Sequence, residues 1–112
     1  MPRIMFVELP ARDIASARRF YTDAFALDLT AFGPTYACTM TGDVDLGLQG
    51  YAAEAPAAPL AVIAVDDLDA ALTSVVRAGG TITKPVFAFP GGKRFHFTDP
   101  HGNELAALKA DN

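Results

Sequence analysis

Hydrophobic and polar positions follow two different periods along the first half of the chain. An apolar run over residues 3–9 contains β-branched and aromatic side chains and stops at Pro10, which predicts a strand. After Asp13 the apolar residues recur every three or four positions, which predicts a helix that Asp13 caps. The apolar positions of this helix are Ile14, Ala17, Phe20, Tyr21, Ala24 and Phe25. Short apolar segments between glycine-containing turns then predict strands at 29–32, 36–40 and 44–49.

The second half of the chain repeats this order. A strand is predicted at 60–65, and Asp67 then caps a helix that ends at Gly79-Gly80. Further strands are predicted at 81–89, 93–97 and 104–110. The two capping aspartates, Asp13 and Asp67, are 54 residues apart, which is about half of the chain. A period this long indicates a duplicated module and not a solenoid repeat.

The repeat predicts an α+β fold with two tandem βαβββ modules inside a single domain, residues 1–112. The modules cover about 1–51 and 60–110, and the Ala/Pro-rich segment 52–59 is the predicted linker. Each module forms a mixed sheet that carries its helix on one face. The other faces of the two curled sheets are expected to line a cup.

Composition narrows the class of protein. With 112 residues, 51% of them hydrophobic and 20% charged, the chain is a small globular domain. A net charge of −4 gives no basic surface for nucleic acid, and the apolar runs are too short to span a membrane. Cys38 is the only cysteine, which excludes an internal disulfide and fits a reducing cytoplasm, where we expect the protein to be located.

Three segments carry a family resemblance: VELPARDIASARRFYTDAF at 7–25, VDDLDAALTSVVRAGG at 65–80 and GGKRFHFTDPHGNELA at 91–106. In this order and spacing they resemble the vicinal oxygen chelate superfamily. That superfamily includes glyoxalases, bleomycin-resistance proteins, fosfomycin-resistance transferases and extradiol dioxygenases. The resemblance covers nearly the whole chain. One departure is Ala26, since the family usually has a glycine after the first helix.

The resemblance implies a β cup around a divalent metal that chelates two substrate oxygens. The ligand positions of the family fall on Phe6, Leu60 and Ala106, whose side chains have no atom that binds a metal. We therefore expect no metal at the usual site and no other cofactor. Family members of this size usually dimerise, so the resemblance also implies a homodimer.

Polar residues lie one step along the strands from these lost ligands. Glu8 is two residues after Phe6, and Glu104 is two residues before Ala106, so strand alternation places both on the cup face. In the strand at 93–97, Phe95 and Phe97 are expected to lie under the helix. That assignment puts Arg94 and His96 on the cup face. The hydroxyl of Tyr36 is a further candidate at the rim of the cup.

Three hypotheses account for these polar residues. In the first, they form structural ion pairs inside the sheet. In the second, they bind a small polar organic molecule: Arg94 holds its carboxylate or phosphate, and Glu8, Tyr36, His96 and Glu104 complete the site. In the third, Glu8, His96 and Glu104 form a shifted site for a divalent metal such as Ni, Mn or Zn.

Two functions follow from these hypotheses. The preferred one is binding of a small polar molecule in the cup without turnover, as in the bleomycin-resistance proteins that the chain resembles. The alternative is a glyoxalase-like lyase or isomerase that uses the shifted metal site or Glu8 and Glu104 as general acid and base. The sequence leaves open whether the protein is an enzyme, because this fold carries unrelated reactions.

Overall fold

The computed structural model describes residues 2–111, which form two compact units. Residues 6–60 make the first unit, and residues 61–111 together with residues 2–5 make the second unit. No helix within residues 2–111 is long and apolar enough to cross a membrane. The predicted linker, residues 52–59, contains neither helix nor strand. The module boundaries inferred from the sequence stay a prediction.

Both halves of the chain have the same order of elements. The first half has β1 (Arg3–Pro10), α1 (Ile14–Phe25), β2 (Thr30–Ala31), β3 (Tyr36–Cys38) and β4 (Asp45–Gln49). The second half has β5 (Leu60–Ala64), α2 (Leu68–Arg77), β6 (Thr81–Phe89), β7 (Gly92–Thr98) and β8 (Glu104–Ala110). The strands pair in the order β2-β3-β4-β1 in the first half and β6-β7-β8-β5 in the second. The predicted α+β fold with repeated βαβββ order is therefore confirmed.

Each four-stranded sheet is mixed. β1 pairs with β4 in parallel, and β5 pairs with β8 in parallel, while the remaining pairs within each half are antiparallel. The parallel pair arises because the helix returns the chain across the sheet before the hairpin strands begin. Corresponding strands therefore occupy corresponding places in the two sheets.

Both helices begin at the capping residue that the sequence predicts. The Asp13 carboxylate accepts a hydrogen bond from the Ser16 amide at 3.0 Å. The Asp67 carboxylate accepts one from the Ala70 amide at the same distance. These contacts satisfy one of the amide groups that every helix leaves without a partner in its first turn. The 54-residue repeat is thus reproduced in local structure as well as in sequence.

Each sheet packs its helix against one face. In the first unit the buried residues Ile14, Leu29, Ala37 and Leu48 form the core, and Ala17 and Tyr21 of α1 pack against it. In the second unit the core consists of Leu68 of α2, Phe95 of β7 and Ala107 of β8, with Phe97 packed against it. Burial of this apolar surface is the main stabilising term in each unit.

The first half departs from the sequence prediction at two side chains and in two strands. Phe20 and Phe25 are 60% and 68% exposed, although their spacing predicts the apolar face. Phe20 lies about 120° around the helix from Ile14, and Phe25 is the last residue of the helix. Strands β2 and β3 are also shorter than predicted, with two and three residues.

Candidate functional site

The sheet face of the second unit that points away from α2 carries a row of polar side chains. In the strand register His96 lies between Lys84 on β6 and Ala106 on β8. Residues paired across strands project to the same side of a sheet, and residues two apart on one strand share a face. Arg94 and Glu104 therefore lie on this side too. We call the surface formed by Lys84, Arg94, His96 and Glu104 the polar face.

Arg94 is held by two aromatic rings from β6. Its Cζ atom lies 5.4 Å from the centre of the Phe87 ring and 5.3 Å from that of the Phe89 ring. Both distances are within the range of cation–π contacts. The residue is only 6% exposed. The two ring contacts restrict the position of the guanidinium group.

His96 is 2% exposed and is in contact with a carboxylate. Its Nδ1 atom lies 3.4 Å from Oε2 of Glu104. The same Oε2 atom accepts a hydrogen bond of 3.3 Å from the Thr83 hydroxyl, which positions the carboxylate. The Glu104 side chain is 36% exposed, so the polar face reaches solvent at this edge.

The surroundings of His96 keep its ring neutral. Burial lowers the pKa of His96 most strongly, and the positive charges of Arg94 and Lys84 lower it further. The contact with the Glu104 carboxylate opposes these effects without reversing them. Since the ordinary pKa of histidine is near 6.5, a lowered pKa leaves the ring uncharged at neutral pH.

Glu8 and Tyr36, the other two predicted ligand residues, lie in the first unit. Glu8 is 2% exposed and pairs in register with Gly47 of β4, which in turn pairs with Cys38 of β3. A Cβ atom added to Gly47 would lie 2.7 Å from the Tyr36 hydroxyl. The missing side chain of Gly47 therefore makes room for the Tyr36 hydroxyl beside the strand that carries Glu8.

Cys38 lies on the same sheet face as Glu8. Burial raises the pKa of the Cys38 thiol, and the negative charge of Asp45 raises it further, while a hydrogen bond with Tyr36 lowers it. The net shift is upward, so the thiol is protonated at neutral pH and is a poor nucleophile.

The residues at the ligand positions of the resemblance do not fit a metal. Phe6 and Leu60 in the first unit and Ala106 in the second offer no oxygen, nitrogen or sulfur in their side chains. Ala106 pairs directly with His96 in the strand register. Across residues 2–111, no three His, Cys, Asp or Glu side chains come close enough to hold a metal ion. The shifted site of Glu8, His96 and Glu104 stays a prediction, since it combines residues of both units.

Two surface depressions lie away from the polar face. One, of about 330 Å³, is lined by the end of α1 and by residues near β2 and β3, including Asp28 and Thr41. The other, of about 240 Å³, is lined by residues that include Arg3, Asp66 and Lys109. None of the five predicted ligand residues contributes to either depression.

The structure brings three of the predicted site residues together and adds others. Arg94, His96 and Glu104 share one sheet face, as strand alternation predicts. Sequence reasoning missed Phe87 and Phe89, because register shifts near Lys84 interrupt the alternation of β6. Pro85, in the middle of this strand, is the sequence signal for such an irregularity.

The repeated βαβββ order and a charged sheet face opposite each helix-covered core define an α+β protein of the glyoxalase-like class. The chain belongs to the Glyoxalase/Bleomycin resistance protein/Dioxygenase superfamily, whose family model matches residues 3–107. The predicted membership in the vicinal oxygen chelate superfamily is thereby confirmed.

Relatives and solved structures agree with this assignment. The chain is 30% identical over 120 aligned positions to "Putative glyoxylase CFP32" of Mycobacterium bovis, and the Mycobacterium tuberculosis protein of that name gives the same values. The match covers 95% of this chain and 45% of the relatives, so the chain spans less than half of their length.

Two solved structures have the same fold. A superfamily member from Vibrio splendidus 12B01 has a TM-score of 0.71 and 16% identity, covering 99% of this chain and 100% of that chain. Methylmalonyl-CoA epimerase from Mycobacterium tuberculosis has a TM-score of 0.74 and 14% identity, covering 97% of this chain and 88% of that chain. At these identities the likeness concerns the fold alone.

Proposed function

We propose that this protein binds a small polar organic anion at the polar face of the second unit. The observation that carries the proposal is the setting of Arg94, which is almost fully buried and in cation–π contact with Phe87 and Phe89. A planar guanidinium held in this way matches the geometry of a carboxylate or phosphate, which it can bind through two parallel hydrogen bonds.

The neighbouring residues favour an anionic ligand. Lys84 adds a second positive charge on the same face, and both charges act on His96. Phe87, whose ring lies 5.8 Å from the ring of His96, adds apolar surface for the organic part of the ligand.

Binding without metal-dependent turnover is the form of the proposal that the residues favour. The side chains of Phe6, Leu60 and Ala106 cannot supply the metal-based chemistry that the family resemblance implies. The acid–base alternative, with Glu8 and Glu104 as general acid and base, combines residues of both units. Binding by Arg94 needs only residues of the second unit.

The test is a titration of the purified protein with propanoate, benzoate and inorganic phosphate, followed by ¹H–¹⁵N NMR. We expect saturable shifts of β6 and β7 amides with at least one of these anions. Arg94→Ala should abolish the shifts, and Arg94→Lys should weaken binding, because lysine keeps the charge but loses the planar fork.

Lys93→Ala is the matched control, since Lys93 is the exposed neighbour of Arg94 on the same strand and also carries one positive charge. It should leave the affinity within about twofold of the wild-type value, as expected for a screened surface charge. Unchanged affinity in a folded Arg94→Ala protein, or no binding of any probe by the wild type, would return Arg94 to a purely structural role.

A further inference from the structure

The two ring nitrogens of His96 have different surroundings. Nδ1 lies 3.4 Å from Oε2 of Glu104. Nε2 is buried and has no hydrogen-bond partner among residues 2–111. A buried polar atom without a partner is unfavourable by roughly 1–3 kcal/mol, so a donor group that reaches Nε2 relieves this cost.

Glu104 determines what Nε2 can do. An ionised carboxylate only accepts hydrogen bonds, so its contact with Nδ1 favours the tautomer that carries the proton on Nδ1. In a neutral ring the proton is then absent from Nε2, which becomes an acceptor. The Thr83 hydroxyl, which donates to the same Glu104 oxygen, holds the carboxylate in place. Glu104 is therefore a positioning residue and does not itself need to touch the ligand.

We infer that Nε2 of His96 accepts a hydrogen bond from a hydroxyl group of the same ligand whose anionic group Arg94 binds, so that the ligand is a small hydroxy acid. The inference rests on the proposed function and adds the chemical class of the ligand to it. Arg94 and His96 are two residues apart on β7, a separation of about 7 Å along the strand. The Phe87 ring contacts both side chains and forms a common wall beside them.

The charges of the polar face distinguish a hydroxyl from other donors. An ammonium group could also donate to Nε2, but it would lie close to the positive charges of Arg94 and Lys84, which act on His96. A plain carboxylic acid can bind Arg94 but leaves Nε2 buried without a partner. A neutral hydroxyl donor avoids both penalties.

The test compares ligands that differ in one substituent. Lactate, propanoate and alanine carry a hydroxyl, a hydrogen and an ammonium group on the same carbon, and 3-hydroxybutanoate with butanoate moves the hydroxyl one carbon farther away. Dissociation constants are measured by NMR titration. We expect one of the hydroxy acids to bind about threefold to tenfold more tightly than its parent acid, and alanine to bind more weakly than propanoate.

Two variants assign the preference to His96. His96→Ala should bind the hydroxy acid and its parent with equal affinity, and Glu104→Ala should reduce the preference because the tautomer is no longer fixed. If these variants do not fold, ¹⁵N-histidine NMR of the wild-type protein still determines which ring nitrogen of His96 carries the proton. There we expect His96 to carry its proton on Nδ1, while the exposed His101 serves as an internal reference for an unconstrained ring.

The outcomes separate the inference from the function on which it rests. Equal, Arg94-dependent affinities for hydroxy and parent acids would overturn the inference and keep the proposed function. No binding of any acid would overturn both. A proton found on Nε2 of His96 would overturn the inference whatever the affinities are.

Discussion

The two units have the same order of elements, yet they present different chemistry on the sheet face opposite the helix. In the first unit β2 and β3 have two and three residues, while in the second unit the corresponding β6 and β7 have nine and seven. Since every second residue of a strand projects to the same face, longer strands carry more side chains there. The second unit therefore has room for Arg94, His96 and the rings that flank them.

The hydrophobic cores of the two units also differ, and the second unit again has the larger side chain. The core of the first unit buries four aliphatic residues and no aromatic ring, whereas the second places the fully buried ring of Phe95 between α2 and the sheet. A repeated fold thus keeps its strand order while its strand lengths and core side chains diverge. The second unit has both the larger core residue and the polar face.

The largest expected effect comes from removing the Phe95 ring. Phe95→Ala should lower the free energy of unfolding by about 3–5 kcal/mol, because the ring is fully buried and leaves a cavity. Leu48→Ala, at the buried centre of the first unit, should lower it by about 2–4 kcal/mol. Urea denaturation followed by circular dichroism measures both.

Phe25→Ala is the control for ring removal as such, since Phe25 is 68% exposed. It should change the free energy of unfolding by no more than about 0.5 kcal/mol. A Phe95→Ala protein as stable as this control would show that the second core does not depend on its aromatic residue.

The next effect concerns two aspartates at equivalent positions of the repeat. Asp45 accepts hydrogen bonds from the Thr39 and Thr41 hydroxyls and from the Thr41 and Gly42 amides, at 2.7–3.1 Å. Asp99, 54 residues later, accepts from the amides of His101 and Asn103 and from the Asn103 side chain. Both aspartates therefore hold the turn between the last two strands of their half.

Asp45→Ala should lower the free energy of unfolding by about 1–2 kcal/mol, a value reduced for the partial exposure of the carboxylate. Asp99→Ala should have a smaller effect because its three hydrogen bonds lie at the surface, whereas the bond between Asp45 and the Thr39 hydroxyl is partly buried. Thermal denaturation at pH 7 ranks the two variants. An effect of Asp99→Ala at least as large as that of Asp45→Ala would contradict the ranking.

Lowering the pH should reduce the stability that Asp45 and Asp99 contribute through these two turns. Hydrogen bonds lower the pKa of Asp45 from 3.8 to about 2 and outweigh the opposing effect of burial, and they lower the pKa of Asp99 as well. Between the unfolded and folded pKa values the folded chain binds fewer protons, so stability falls as the pH falls. The contribution of Asp45 is fully present above about pH 4 and is lost toward pH 2. Unfolding curves of wild type and Asp45→Asn over this range should converge.

Features that depend on local periodicity can be predicted from the sequence. Features that depend on which residues pair across two strands cannot. Alternation in β7 places Phe95 and Phe97 against α2, which leaves Arg94 and His96 on the opposite face, and the structure has this arrangement. The position of the Tyr36 hydroxyl above Gly47 depends on the register between two strands, which sequence patterns do not specify.

The capping aspartates give the closest match between the two halves. Asp13→Ala and Asp67→Ala each remove one hydrogen bond of 3.0 Å to a first-turn amide, so each should lower the free energy of unfolding by about 1 kcal/mol. The two losses should agree within about 0.5 kcal/mol, and Asp→Asn at either position should restore most of the stability. A cap effect at one position only, measured by urea denaturation, would show that the helices contribute unequally.

The smallest expected effect concerns Ala26, where the family usually has a glycine after the first helix. Ala26 follows α1 with a φ of 56°, a left-handed conformation that is strained for alanine, whereas Gly79, with a φ of 102°, has this role after α2. Ala26→Gly removes the strain but adds freedom to the unfolded chain, so we expect a net gain of about 0.5 kcal/mol. The matched variant Ala24→Gly, inside α1, should lose about 0.5–1 kcal/mol. If both variants lose stability equally in urea denaturation, position 26 is not left-handed in solution, and the two helix ends differ more than the repeat suggests.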